Sequence, residues 1–72
     1  MHADLTEGQA KVLDFIKGYM TRHGYPPSQI EIAAAFRMSR TTATYYCKQL
    51  RLKHKVRKKR NLFIPVQNGE LE

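Results

Sequence analysis

Read at about 100° per residue, SRTTATYYCKQLR at positions 39 to 51 sorts two kinds of side chain onto opposite sides of a helix. Ala43, Cys47 and Leu50 fall within about 60° of one another, with Tyr46 on their flank, and form a core-facing set. Opposite them lie Thr41, Thr44, Tyr45 and Lys48, with Arg40 and Arg51 along the margin. Hydroxyls, a phenol and cations without a carboxylate suit hydrogen bonding and charge pairing to phosphates and base edges. Thr methyl groups suit contact with the thymine methyl, and Arg40 can reach a guanine edge or a phosphate. The N-terminus of this helix favours a phosphate in its own right. An ordinary solvent face mixes both charge signs. Thr41, Thr42, Thr44 and Tyr45 also lower helix propensity, as expected of a face selected for contact. The bland alternative is a Thr-rich face that arose by accident.

A louder feature follows. KHKVRKKRN, residues 53 to 61, holds six Lys and Arg in nine positions. The net charge of +7 is equally uneven. The acids are Asp4, Glu7, Asp14, Glu31, Glu70 and Glu72, so residues 32 to 69 contain none, yet they carry ten of the thirteen Lys and Arg. A one-sided positive half gathers polyanions, and nucleic acid is the expected partner; an anionic membrane or an acidic protein is the alternative. The run itself reads as half of a folded binding site, as a free tail, or as a localisation signal. Val56 inside it and LFIPV after it favour a folded element, because an apolar strand face needs a core.

Other chemistries find little support. A chain of 72 residues makes one domain at most, and 42% apolar with 26% charged residues is a globular composition. No apolar run approaches the ~20 residues of a membrane span, and no charged-then-apolar signal opens the sequence. Cys47 alone forms no disulfide within the chain and fits a reducing, cytoplasmic compartment; on the core-facing arc it is a small hydrophobe. Ser28 and Ser39 are explained as helix caps. His2, His23 and His54 are scattered without ligand spacing, and there is no Gly-rich phosphate loop. The basic half has no carboxylate to act as acid, base or metal ligand. The expectation is a protein that is not an enzyme, with no cofactor, no metal and no small-molecule ligand.

The elements that position these residues are well punctuated. Thr6 and Gln9 make a capping box, and Val12, Leu13, Ile16, Tyr19 and Met20 follow one apolar face. Gly24 suits a left-handed residue after a helix and Pro26-Pro27 forbids continuation, so helix one runs roughly from Glu7 to His23. Ser28 and Glu31 form a second capping box, and Ile32, Ala35 and Phe36 give a short apolar face. A tight turn at RMS leads to Ser39, which caps a third helix through about Leu52. Two helices of these lengths and this spacing have helix-turn-helix proportions. After Leu52 the pattern changes to strands. Leu62, Ile64 and Val66 alternate, so that face is expected on the core, and Pro65 marks an edge strand. The hairpin tip falls at Lys59-Arg60-Asn61. A further short strand near Tyr25 is a weaker expectation. Three helices and a hairpin describe a mainly α, winged helix-turn-helix domain over residues 1 to 72, with an ordered core of about 5 to 66 and a C-terminal tail of 67 to 72.

LTEGQAKVLDFIKGYMTRHGYPPSQIEIAAAF resembles the start of the N-terminal DNA-binding domain of the LexA repressor family. It shares LT-x-x-Q at Leu5, Thr6 and Gln9, G-x-P-P-[ST] at Gly24 to Ser28, and E-I-A at Glu31 to Ala33. FRMSRTTATYYCKQL resembles the broader winged-helix pattern in which S-R-x-T precedes a recognition helix. The resemblance covers roughly residues 5 to 66. It implies a bacterial or phage binder of double-stranded DNA whose third helix enters the major groove, with Ser39, Arg40, Thr41, Thr44, Tyr45 and Lys48 in the reading role. It also implies a wing, about Lys58 to Asn61, on the flanking backbone or minor groove. Arg37 and His54 stand where Gly is usual, and a left-handed non-Gly residue costs on the order of 1 kcal/mol, which predicts reshaped turns. The self-cleaving peptidase domain of such repressors is absent from this sequence, so neither self-cleavage nor dimerisation through it is carried over.

The expectation is a sequence-specific duplex DNA-binding protein, a bacterial, phage or plasmid transcriptional regulator associated with the nucleoid in the cytoplasm. A homodimer, formed in solution or only on DNA, is expected. The candidate DNA-binding residues are Ser28, Ser39, Arg40, Thr41, Thr44, Tyr45, Lys48 and Arg51, then Arg57, Lys58, Lys59, Arg60 and Asn61 in the wing. A low-specificity binder of DNA or RNA, and a winged-helix module that inhibits a host protein, are the alternatives.

Overall fold

Both predicted capping boxes form. Thr6 accepts from the Gln9 N–H while the Gln9 side chain accepts from the Thr6 N–H, starting helix α1, Glu7–His23. Ser28 and Glu31 repeat the arrangement at helix α2, Gln29–Phe36. Ser39 caps helix α3, Arg40–Leu52, through the Thr42 N–H. Strands β1, Val56–Lys59, and β2, Leu62–Pro65, complete an antiparallel hairpin. The computed structural model describes residues 5–60 and 62–66. Asn61 and the expected tail at 67 to 72 lie outside the described residues.

A left-handed residue stands just past each helix, at Gly24, Arg37 and His54, but only Gly24 is a glycine. Arg37 has φ +53 and His54 φ +61, so these turns are not reshaped, contrary to expectation. Each is held by the paired bonds of a Schellman motif. Met38 N–H reaches Ala33 C=O and Arg37 N–H reaches Ala34 C=O; Lys55 N–H reaches Leu50 C=O and His54 N–H reaches Arg51 C=O. Backbone groups that a helix end would otherwise leave orphaned are satisfied there, which offsets the left-handed strain. A third left-handed residue that is not glycine, Arg60 with φ +58, starts the turn between the strands.

Val12, Leu13 and Ile16 of α1, Ile32 and Ala33 of α2, Ala43, Cys47 and Leu50 of α3, and Val56 and Phe63 of the hairpin form one core. The predicted α3 set is therefore buried as expected. Two faces differ from their predictions. On α2, Ala33 is buried and Ala35 exposed, because a two-turn helix wedged between α1 and α3 turns Ile32 and its neighbour inward. On β2, Phe63 and Pro65 are buried while Leu62, Ile64 and Val66 are only half-buried, the opposite phase. Register decides this: Val56 opposes Pro65 and Lys58 opposes Phe63, so Pro65 shares a face with the buried Val56. The Val66 N–H donates to Lys55 C=O, and alternation places Pro65 at a non-hydrogen-bonded position, where its missing N–H removes nothing. The short strand expected near Tyr25 does not form; residues 24 to 28 are irregular.

Contacts between helices fix the orientation of α3. Gly8 of α1 lies against Tyr46, and a Cβ there would stand 2.9 Å from the tyrosine oxygen. At the other end of α3, Lys53 Nζ donates to Oε1 of the buried Gln9 at 2.7 Å. The capping residue of α1 is thus also the bracket for the joint between α3 and the wing.

Candidate nucleic-acid interface

The outward face of α3 follows from burial of the inward one. Arg40, Thr41, Tyr45, Lys48 and Arg51 are exposed, and Thr44 is half-buried. Tyr45 shows 56% of its surface and meets the Tyr46 ring edge-on at 5.9 Å. Tyr46 is in turn seated over Gly8, so the phenol of Tyr45 stands on a fixed support. Ser39 accepts from the Thr42 N–H and donates to the Thr42 hydroxyl at 2.9 Å. Its hydroxyl is committed to the cap. Thr44 donates to Gln29 Oε1 at 2.9 Å, a bond between α3 and the first residue of α2.

Three shallow clefts take in seven of the candidate residues, and Ser39, Thr41, Thr44, Tyr45 and Arg60 line none of the three. Ser28, Gln29 and Ile30 from the start of α2, Arg40 from the start of α3 and Lys58 from the wing line the first. This is where the start of α3 and the hairpin converge. Arg57, Lys58, Lys59 and Ile64 line a second cleft on the hairpin itself. Lys48, Arg51, Leu52 and His54 line a third at the far end of α3. Arg51 lies eleven residues beyond Arg40, about 16 Å along the helix axis, so the two do not share a site. Arg60 is exposed at the turn, and Asn61 lies outside the described residues. Lys58 Nζ lies 6.0 Å from the centroid of the Phe63 ring, which steadies its stem beside the core.

Gln29, Ile30, Leu52, His54 and Ile64 line these clefts without having been candidates from the sequence. Ile30 is 61% and Leu52 72% exposed. Ile30 had a legible signal: it stands two residues from the inward Ile32, so a helix turns it away. Gln29 had none, because its partner Thr44 is fifteen residues away.

Electrostatics sharpen the division of the molecule. Glu31, the nearest carboxylate to the first cleft in sequence, accepts from the Ser28 N–H at 2.8 Å and from the Tyr19 hydroxyl at 2.7 Å. Those bonds, the backbone one foremost, hold its carboxyl below the ordinary 4.5. The bond to Glu31, chiefly, pushes the Tyr19 phenol up. Burial raises the Cys47 thiol to about 11, in keeping with a core residue. Among the described residues no group of three His, Cys, Asp or Glu could hold a metal, and no helix is long and apolar enough to cross a membrane.

Comparison with known proteins agrees with this geometry. The model of the LexA DNA binding domain matches residues 2–61. The LexA repressor of Pseudothermotoga lettingae is 42% identical over 69 residues, covering 94% of this chain and 34% of that protein. The LexA repressor of Geobacter metallireducens is 50% identical over 38 residues, 53% of this chain and 19% of its own length. That of Thermotoga maritima is 56% identical over 36 residues, 50% of this chain and 18% of its own length. The chain spans about a third of the length of the first of these relatives, at 34%, and less of the others. With a matching family model over most of its residues and a relative aligned along nearly all of it, the chain belongs to the LexA DNA-binding domain family.

Proposed function

We propose that this chain binds double-stranded DNA sequence-specifically and serves as, or within, a transcriptional repressor. Helix α3 lies in the major groove, and the wing meets flanking backbone or the minor groove. One observation carries the reading: the exposed, carboxylate-free face of α3 converges with the wing in a cleft where Arg40 and Lys58, from different elements, both stand at the start of α2. Two cations and a helix N-terminus at one place suit a phosphate, and the exposed row beyond it suits base edges. Thr41, Tyr45 and Lys48, with Arg40 at the helix start, are the proposed readers; Arg57, Lys58, Lys59 and Arg60 are the proposed phosphate contacts.

This reading contains no catalytic step and needs no cofactor. It places the protein where the DNA is, in a bacterial cytoplasm. A single α3 spans few base pairs, so two copies on two half-sites complete the reading, paired in solution or only on DNA. Selection of bound duplexes from a random pool tests all of this at once. The expected result is a defined site with two-fold symmetry. Thr41→Ala with Tyr45→Ala should then cut the preference for that site over a scrambled duplex by about tenfold or more. Selection of no common site, or an unchanged preference in the double variant, overturns the reading.

A further inference from the structure

Thr44 sits on the face proposed to read DNA, yet its hydroxyl is already engaged. It donates to Gln29 Oε1 at 2.9 Å, across the gap between α3 and α2. A hydroxyl has one hydrogen. With that hydrogen on Gln29, Thr44 keeps a methyl group and lone pairs, and has nothing to donate to a phosphate or to the acceptor atoms of a purine. The reverse holds for Gln29. Fixing Oε1 as the acceptor leaves both hydrogens of Nε2 to donate elsewhere.

Where that amide stands decides what it suits. Gln29 is the first residue of α2, directly after the Ser28 cap, and it lines the cleft shared with Arg40 and Lys58. The positive end of the helix and two cations from separate elements surround it, which favours an anion with acceptor oxygens. The carboxylate of Glu31, in the same first turn, is engaged by the Ser28 N–H and the Tyr19 hydroxyl. In a helix-turn-helix the first helix of the pair crosses the sugar-phosphate backbone. We infer that Gln29 is a DNA contact, donating through its amide to a backbone phosphate, and that Thr44 is the positioning residue that holds it there. This rests on the DNA-binding reading above and replaces the reading role that the sequence suggested for Thr44: it acts through Gln29 instead of reading a base with its hydroxyl. The bond also fixes the depth of α3 relative to the backbone, because phosphate contacts set register and orientation.

The test uses the full chain and the duplex it selects, together with every single base-pair variant of that duplex. Thr44→Val keeps the shape and the methyl group and removes only the hydroxyl. Thr44→Val and Gln29→Ala should each weaken binding to all duplexes by about three- to tenfold, the range expected for loss of one hydrogen bond. The double variant should be no weaker than the weaker single one, and the ranking of duplexes should not change. Gln29→Glu keeps an acceptor for Thr44 but sets a carboxylate against the phosphate. It should lose more than tenfold, with the deficit shrinking as salt is added. A Thr44→Val variant that alters the ranking at one base pair, effects of Thr44→Val and Gln29→Ala that multiply, or a Gln29→Glu variant that binds normally each overturns the assignment. If the wild-type chain itself prefers no duplex, the failure belongs to the reading beneath it.

Discussion

Helix α3 and the wing face the same proposed ligand but are held in different ways. Three α3 residues, Ala43, Cys47 and Leu50, are wholly buried, and Gly8, Gln9 and Gln29 brace the helix from two other elements. The wing is two four-residue strands with Val56, Phe63 and Pro65 buried and Arg57, Lys58, Lys59 and Arg60 exposed. Reading a base edge demands donors and acceptors placed within fractions of an ångström. Attraction to a phosphate tolerates slack, since it falls slowly with distance. The braced element is therefore the one suited to choose a sequence, and the strongly charged one is suited to supply affinity.

Removing the brace should have the largest effect. Leu50→Ala opens a cavity beneath α3 and should destabilise the domain by about 2–5 kcal/mol, measured by denaturant unfolding. Selectivity and affinity should fall together. A Leu50→Ala protein that stays folded and still prefers its site would show that α3 does not depend on this support.

Next comes the wing. Replacing Lys58, Lys59 and Arg60 together by Gln should weaken binding to all duplexes alike and flatten the log–log salt dependence by as much as about 2.7, three contacts at 0.9 each. Preference between selected and scrambled duplexes should persist. Loss of that preference would move part of the reading into the wing and break the contrast.

Left-handed residues supply a smaller effect, and one that reports on cooperativity. Arg37→Gly should raise stability by about 1 kcal/mol, because the native φ of +53 suits glycine without strain. Arg60→Gly, at φ +58 in the wing, should match it only if the hairpin folds together with the helices. Thermal midpoints of the two variants compare them directly; a gain confined to Arg37→Gly means the wing unfolds separately.

The smallest expected effect is a pH dependence that belongs to one side only. Glu31 has its carboxyl held below the ordinary 4.5 by the Ser28 N–H and the Tyr19 hydroxyl. The folded protein therefore binds fewer protons there than the unfolded chain does. That stabilisation is present above 4.5 and is lost as pH falls through the lowered folded value. Glu31→Gln should flatten the acid limb of stability against pH, while α3 and the wing, which have no carboxylate, contribute nothing to it. An unchanged acid limb in this variant would show that Glu31 does not carry it.

Helix boundaries were legible because their signals are local. Thr6 with Gln9, Ser28 with Glu31, and Ser39 each satisfy orphan N–H groups within one turn, so three residues specify a start wherever the helix lies. The buried arc of α3 was legible for a similar reason: Ala43, Cys47 and Leu50 contrast with the hydroxyls and cations around them. LFIPV offered no such contrast. All five of its residues are apolar, so alternation cannot say which set is inside, and the expected phase was inverted. The left-handed Arg37 and His54 were visible as anomalies, but not the paired backbone bonds that let both turns keep their shape.

The sequence by itself determined where the helices begin and end, which face of α3 is buried, and that every carboxylate is kept out of residues 32 to 69. These depend on neighbours within one or two turns, or on composition alone. The tertiary structure alone decided the phase of β2, the pairing of Gln29 with Thr44, and the convergence of Arg40 and Lys58 at the start of α2. Each joins residues far apart in the chain, and which of them meet is settled only when one small core is packed.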